Sequence, residues 1–262
     1  MAETLFSKVF PKKKPIIGMV HVFHEERKKQ LDHALADAYC LKENGVDGLL
    51  VENYGFGYQD ENHATLEAFD ALIGIALVIQ ESRLNIPIGI NLLPNDFPKA
   101  FEAVFHAKGS FIQMDHITGK FKHCRCVDPD EYLQVRKTYQ RIYNPIVVFG
   151  GIHPKYYELS NPRCSITECA KKAAELVDGI VVTGERTGGE TALDDVHAAR
   201  VVSNGTPIII GSGLTADNAC KQLAFADGAI VGTAFKKNGV RPGELVDADL
   251  VKKLMDEVSK FR

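Results

Sequence analysis

The chain has 262 residues, of which 45% are hydrophobic and 25% charged, with a formal net charge of −3. That balance excludes disorder, collagen and coiled coil as the main state, and it lacks the basic surplus that a nucleic-acid footprint calls for. A chain of this length buries roughly three quarters of its unfolded surface, so it needs no disulfide or metal staple, and ~200–250 residues suit one α/β barrel domain.

Residues 1–14 read as a lead-in, with Lys12, Lys13 and Lys14 solvated, and no apolar segment there resembles a secretory signal. A cytoplasmic location is expected, with the domain running from 15 to 262. The longest apolar stretch, Ala71 to Ile79, is about half a membrane span and reads as part of a buried helix. The six cysteines are Cys40, Cys124, Cys126, Cys164, Cys169 and Cys220, and without an export signal they are expected to be reduced. His123-Cys124-Arg125-Cys126 lacks the C-x-x-C spacing and fourth ligand of a structural zinc site, so it reads as a loop.

Eight short apolar, β-branched runs follow in order, at Pro15–His21, Asp47–Asn53, Ile86–Asn91, Phe111–Asp115, Pro145–Gly150, Gly179–Gly184, Pro207–Gly213 and Gly228–Thr233. Their starts lie 21 to 39 residues apart, about one βαβ step each. Most are continuously hydrophobic, as strands are when both faces of a parallel sheet are covered. Helix-start signals stand between them. Ser165-Ile-Thr-Glu168 and Thr191-Ala-Leu-Asp194 fit the capping box or its acidic variant, and Asp128-Pro129-Asp130-Glu131 sets an N-cap, a first-turn proline and an N3 carboxylate in order. Leu31, Leu35, Ala38 and Leu41 form a helical stripe. Eight strands alternating with helices predict a single-domain TIM (β/α)8 barrel. The competing open sheet is disfavoured because the first βα turn, His21-Val22-Phe23-His24, has no glycine-rich dinucleotide fingerprint.

In such a barrel the site lies at the C-terminal strand ends. Strand 7 ends Gly211-Ser212-Gly213 and is followed by an expected helix at Ala216, while strand 8 ends Gly232-Thr233. Glycine turns on neighbouring strands let several main-chain N–H donors reach one phosphate. Gly184 at the end of strand 6, the hydroxyls of Ser212 and Thr233, and a cation from Lys236 or Lys237 would complete that end. Arg186 in the loop after strand 6 can pair with an anion in forked geometry or stand solvated. Strands 1 to 4 end in polar residues, and period-2 alternation can aim His21, Glu52, Asn91 and Asp115 into one barrel mouth, with Gln113 on the inward parity. Two acids in unlike surroundings can divide the roles of acid and base. His116 and His153 read as loop residues.

Ile17-Gly18-Met19-Val20-His21, Gly45-Val46-Asp47-Gly48 with Val51-Glu52-Asn53, Val182-Thr183-Gly184, Ile210-Gly211-Ser212-Gly213 and Asp227–Thr233 together resemble the BtpA/SgcQ family, from about Pro15 to the last helix. The resemblance implies a ribulose-phosphate-binding type of barrel, with a phosphate at Gly211, Ser212, Gly213, Gly232 and Thr233. It brings no settled reaction. Some members are linked to photosystem I biogenesis, and others stand among sugar-metabolism proteins and are labelled nucleosidases. The chain departs from the family pattern at the rim. Val22-Phe23-His24-Glu25-Glu26 replaces a loop with Pro and Gly, His153 lacks a preceding Lys, and Asp115 stands where Asn is common.

The expected function is therefore acid–base chemistry on a small phosphorylated sugar or nucleoside-like compound, of isomerase, lyase or nucleosidase type. Glu52 and Asp115 would be the proton carriers, assisted by His21 and Asn91, with no cofactor, no metal and no nucleic acid. The alternative is a non-catalytic assembly factor for a membrane complex such as photosystem I, with a protein or membrane partner. A third reading is a metal-assisted hydrolase using His21, Glu52, Asp115 and a rim histidine.

Overall fold

A computed structural model of the chain describes residues 3–161 and 165–262. Cys164 therefore lies outside the described residues, and Cys40, Cys124, Cys126 and Cys220 are free thiols. Eight parallel strands close into a barrel in sequence order: β1 (Ile16–Val22), β2 (Gly48–Asn53), β3 (Ile88–Asn91), β4 (Phe111–Met114), β5 (Val147–Ile152), β6 (Gly179–Val182), β7 (Ile208–Ile210) and β8 (Gly228–Val231). β8 pairs back onto β1, with Ile17 opposite Ile230. Helices cover the outside: α2 (Arg27–Glu43), α3 (Leu66–Glu81), α4 (Phe97–His106), α5 (Pro129–Ile142), α6 (Ile166–Ala173), α7 (Leu193–Val202), α8 (Ala219–Phe225) and α9 (Ala248–Ser259). The fold is the one the sequence predicts, and no described helix is long and apolar enough to cross a membrane.

Strand alternation creates two cores. Ile16, Val20, Leu49, Val51, Ile90 and Ile112 face the helices, whereas Ile17, Leu50, Phe111, Phe149, Val181, Ile209 and Ile230 fill the barrel interior. The apolar run Ala71–Ile79 lies in α3, which buries Ala71, Leu72, Ile75, Ala76 and Ile79. The predicted lead-in holds more structure than a solvated arm. Helix α1 (Leu5–Val9) places Phe6 and Phe10 under the N-terminal end of the barrel, where the Phe10 ring centroid lies 5.4 Å from Phe111 and 5.9 Å from Phe149. Lys14 is half-buried and donates to the Ala226 carbonyl at 2.6 Å, and Lys12 lies 3.3 Å from Asp47.

A short pattern recurs at that lower rim. Asp47, Asp178 and Asp227 each stand just before a glycine that opens an even-numbered strand. Each carboxylate accepts the N–H of a residue in the previous strand, namely Ile16 (2.8 Å), Val148 (2.8 Å) and Ile208 (2.8 Å). Each also holds an arginine: Arg262, Arg136 and Arg200 respectively.

The start signals divide. The Ser165/Glu168 capping box and the Asp128 cap form as predicted. Thr191 does not cap α7, whose N-cap residue is Ala192. Its hydroxyl instead donates to the Ser212 carbonyl at 3.0 Å, a tertiary bond that ties the loop after β6 to the turn after β7. The helix expected at Ala216 begins at Ala219, because Asn218 closes the intervening turn by accepting from Thr215 N–H and donating to Gly213 O, each at 2.8 Å.

Candidate functional site

At the C-terminal mouth, register lines up four inward side chains. His21 pairs with Glu52, Glu52 with Asn91, and Asn91 with Gln113. Asp115 follows β4 by one residue. Three of the expected residues form one hydrogen-bonded unit. The Asn91 amide donates to Glu52 Oε2 at 2.7 Å and stands 3.4 Å from Asp115 Oδ1, so one side chain holds two carboxyl groups. Asn91 sits behind them and does not line the cavity. The Tyr157 hydroxyl donates to the Pro94 carbonyl at 2.6 Å and stands 3.2 Å from Asp115 Oδ2.

Burial dominates the electrostatics. It raises the Glu52 carboxyl to about 7; the Asp115 charge adds to this, while Lys155 and the Asn91 hydrogen bond oppose it. Burial also raises Asp115, against the Asn91 bond, Lys155 and Tyr157. A carboxyl that titrates near neutrality can both take and give a proton there. Burial drives His21 down to about 3, helped by Lys236 and Lys155, so its imidazole is neutral and no acid. His116 is likewise pushed down to about 4 by burial, and its main chain is held by Asn95, whose Nδ2 donates to His116 O at 3.1 Å. Among the described residues, no three His, Cys, Asp or Glu side chains are placed to hold a metal ion.

These groups open on a cavity of about 1030 Å3, near the upper size of small-molecule sites. It runs from Glu52, Gln113, Asp115 and Lys155 across to Gly211–Thr215 and Val231–Ala234. His21 joins the two ends, for a β-carbon at Gly232 would lie only 2.7 Å from His21 Cε1. Three buried polar atoms of the lining, His21 Nδ1, Gln113 Oε1 and Thr183 Oγ1, have no hydrogen-bond partner, which is uncommon for buried polar groups.

The glycine end is built from close approaches. Gly213 has φ +69, and a β-carbon there would stand 2.2 Å from Gly189 O; only glycine lets the turn after β7 meet the loop after β6. Ser212 and Thr233 line the cavity, but Gly184 does not. Its N–H donates to Ser212 Oγ at 2.7 Å, so that amide is committed inside the protein. A 3-10 turn, Thr233–Phe235, follows β8, and its leading amides precede the first intrahelical bond. This turn, rather than a helix at Ala216, supplies main-chain donors beside the glycines.

The predicted cations are elsewhere. Lys236 is buried, 2.8 Å from Asp37 Oδ2, and also donates to Glu244 O at 2.7 Å. Lys237 is exposed and lies 2.6 Å from Asp247. Arg186 is exposed and outside the lining. Sequence reasoning missed the residues the loops bring in: Lys155, Tyr156 and Tyr157 after β5, and Tyr54 and Tyr58 after β2. The tyrosine pairs were the visible signal, but strand-end parity says nothing about a side chain several residues into a loop.

Fold and site thus define a (β/α)8 barrel with a large cavity at the C-terminal ends of its strands. The chain belongs to the BtpA family, whose sequence model matches residues 12–260. Relatives include an uncharacterised protein of Pyrococcus furiosus, 30% identical over 238 residues that cover 87% of this chain and 88% of that protein. Another, from Methanocaldococcus jannaschii, is 28% identical over 261 residues, 96% and 97% of the two chains. The photosystem I biogenesis protein BtpA of Synechocystis is 25% identical over 239 residues, 86% of this chain and 81% of its own. Solved structures with the same fold include phosphoribosyl anthranilate isomerase from Thermus thermophilus (TM-score 0.59, 14% identity, 95% of this chain and 100% of that one). Tryptophan synthase from M. tuberculosis is another (TM-score 0.62, 16% identity, 97% and 96%).

Proposed function

We propose that the protein is an acid–base enzyme acting on a small phosphorylated sugar or nucleoside-like compound. The phosphate would lie against Gly211, Ser212, Gly213, Gly232 and Thr233, and the reacting atoms against Glu52 and Asp115. The observation that carries this reading is the single cavity joining a paired-carboxyl end to a glycine-turn end. One end supplies a proton carrier that titrates near 7, and the other supplies main-chain donors and hydroxyls of the kind an oxyanion needs. The tyrosines at the mouth, Tyr54, Tyr58 and Tyr156, offer flat surfaces to a ring on the sugar. Phosphoribosyl anthranilate isomerase, a neighbour in fold, is named for a substrate that joins a phosphoribosyl group to an aromatic ring, which agrees with such a ligand here.

A thermal-shift panel of sugar phosphates and nucleotides tests the reading, with inorganic phosphate and the unphosphorylated sugars as controls. A ligand at ~100 times its Kd stabilises by about 2.7 kcal/mol, several degrees for a domain of this size. Phosphate esters should shift Tm and their dephosphorylated forms should not. Equal shifts from both, or none from either, would refute the phosphate end. With a substrate identified, Glu52→Gln and Asp115→Asn should each lower kcat about 10²–10⁴-fold.

A further inference from the structure

Lys155 lines the cavity in the loop after β5. It shares that lining with Glu52, Asp115 and His21, and its charge acts on all three. Among the described residues, however, it has no hydrogen bond and no carboxylate within 4.0 Å. Of the other predicted cations, Lys236 and Lys237 are tied to acids and Arg186 is exposed and outside the lining. The backbone that presents Lys155 is strained on both sides, with His153 at φ 47 and Tyr156 at φ 69. Left-handed φ is costly for a bulky residue such as tyrosine, and strain of this kind collects at functional sites. Tyr156 is held in place through its hydroxyl, which accepts from the Thr187 N–H at 3.1 Å and lies 3.1 Å from Thr187 Oγ1.

We propose that Lys155 is a catalytic residue that holds the carbonyl oxygen of an open-chain α-hydroxycarbonyl phosphate while Glu52 removes the proton from the adjacent carbon. The proposal rests on the phosphate-site reading above and narrows its chemistry to enolisation. An oxygen placed between the ammonium and the two carboxyl groups fills a gap too wide for a direct ion pair. In the step, the C–H bond breaks and its proton goes to the Glu52 carboxylate. The C–H electron pair becomes the C=C bond of an enediolate, and the carbonyl π pair moves onto the oxygen that Lys155 holds. Return of the proton to the neighbouring carbon, with the hydroxyl proton passed between the two oxygens through Asp115, gives the isomer. No oxidant, reductant or co-reactant enters. Burial and the Asp115 charge raise the Glu52 carboxyl, against Lys155 and the Asn91 hydrogen bond, and the neutral His21 adds no competing positive charge beside Lys155.

The experiment incubates the protein in D2O with aldose and ketose phosphates of three to six carbons, and with the matching alditol phosphates, which have no carbonyl. Wash-in of deuterium is followed by proton NMR, and inorganic phosphate binding is measured in parallel by 31P NMR. Wild type is expected to exchange the α-hydrogen of at least one carbonyl compound and of no alditol. Lys155→Met is expected to slow that exchange about 10²–10³-fold, the usual effect of losing one oxyanion donor, with inorganic phosphate binding unchanged. Its pH–rate profile should also move to higher pH, because the cation that favours ionised Glu52 is gone. Exchange by Lys155→Met at the wild-type rate overturns the proposal. So does a wild type that binds inorganic phosphate yet exchanges no member of the panel, an outcome that leaves the phosphate site standing. A wild type that binds no phosphate overturns both.

Discussion

Glu52, the register partner of His21 on β1, is reached by Tyr54 and Tyr58 after β2, Asn91 from β3, Asp115 after β4 and Lys155 after β5. Burial outweighs them and raises its pKa from 4.5 to about 7. The sign for stability follows directly. The native state binds this proton more tightly than the unfolded chain, so the group's contribution is complete below pH 4.5 and is lost as pH rises through about 7. A shift of this size corresponds to roughly 3 kcal/mol. Glu52→Gln keeps the acceptor for Asn91 but cannot ionise, so its stability relative to wild type should grow between pH 4.5 and 8 in paired thermal melts. A difference that stays flat across that range would show that Glu52 ionises freely in the native state. Glu52, Asn91 and His21 were legible in the sequence, because period 2 and strand length place them at the same height. Lys155 was not, because its position depends on how the loop after β5 folds back over the mouth.

The elements carry a second set of consequences at the opposite rim. The Asp-Gly pairs before β2, β6 and β8 each fasten the preceding strand and an arginine. For Asp178 the bonds are 2.8 Å to Val148 N and 2.7 Å to Arg136, with both side chains mostly buried. Asp178→Ala leaves an amide and a guanidinium short of a partner and should cost about 2–3 kcal/mol. Urea unfolding would register this as a lower midpoint at an unchanged m-value. The capping signals show where local reading stops. The Ser165/Glu168 box is complete within one turn and forms as predicted, whereas Thr191 gives its hydroxyl to a carbonyl 21 residues away. A local motif is decided by whichever acceptor the fold brings closest.

On the scale of the whole molecule, the barrel has a plugged lower end and an open, cavity-bearing mouth. Helix α1 stops the lower end with Phe6 and Phe10, which pack on the Phe111 and Phe149 rings. Phe10 is 2% exposed. Phe10→Ala should cost about 3–5 kcal/mol, a fall in Tm of roughly 10 °C for a domain of this size. Ligand affinity at the mouth should not change, since the substitution lies at the other end of the strands. A scan with and without a phosphate ester checks both halves of that expectation.

The sequence by itself determined the eightfold βα repeat, the parallel closed sheet, and the heights of His21, Glu52, Asn91 and Gln113. These follow from hydrophobic period and strand length, which are local properties. Only the tertiary structure decided which polar groups are free to meet a ligand. Lys236 finds Asp37 at a separation of 199 residues, Gly184 gives its amide to Ser212, and α1 becomes a plug. Lys155 lines the same cavity as the carboxyl pair, with no hydrogen bond or ion pair among the described residues. The physical reason is that a buried donor or charge gains most from whatever partner lies nearest in space, and spatial neighbours far apart along the chain are set only when the barrel closes.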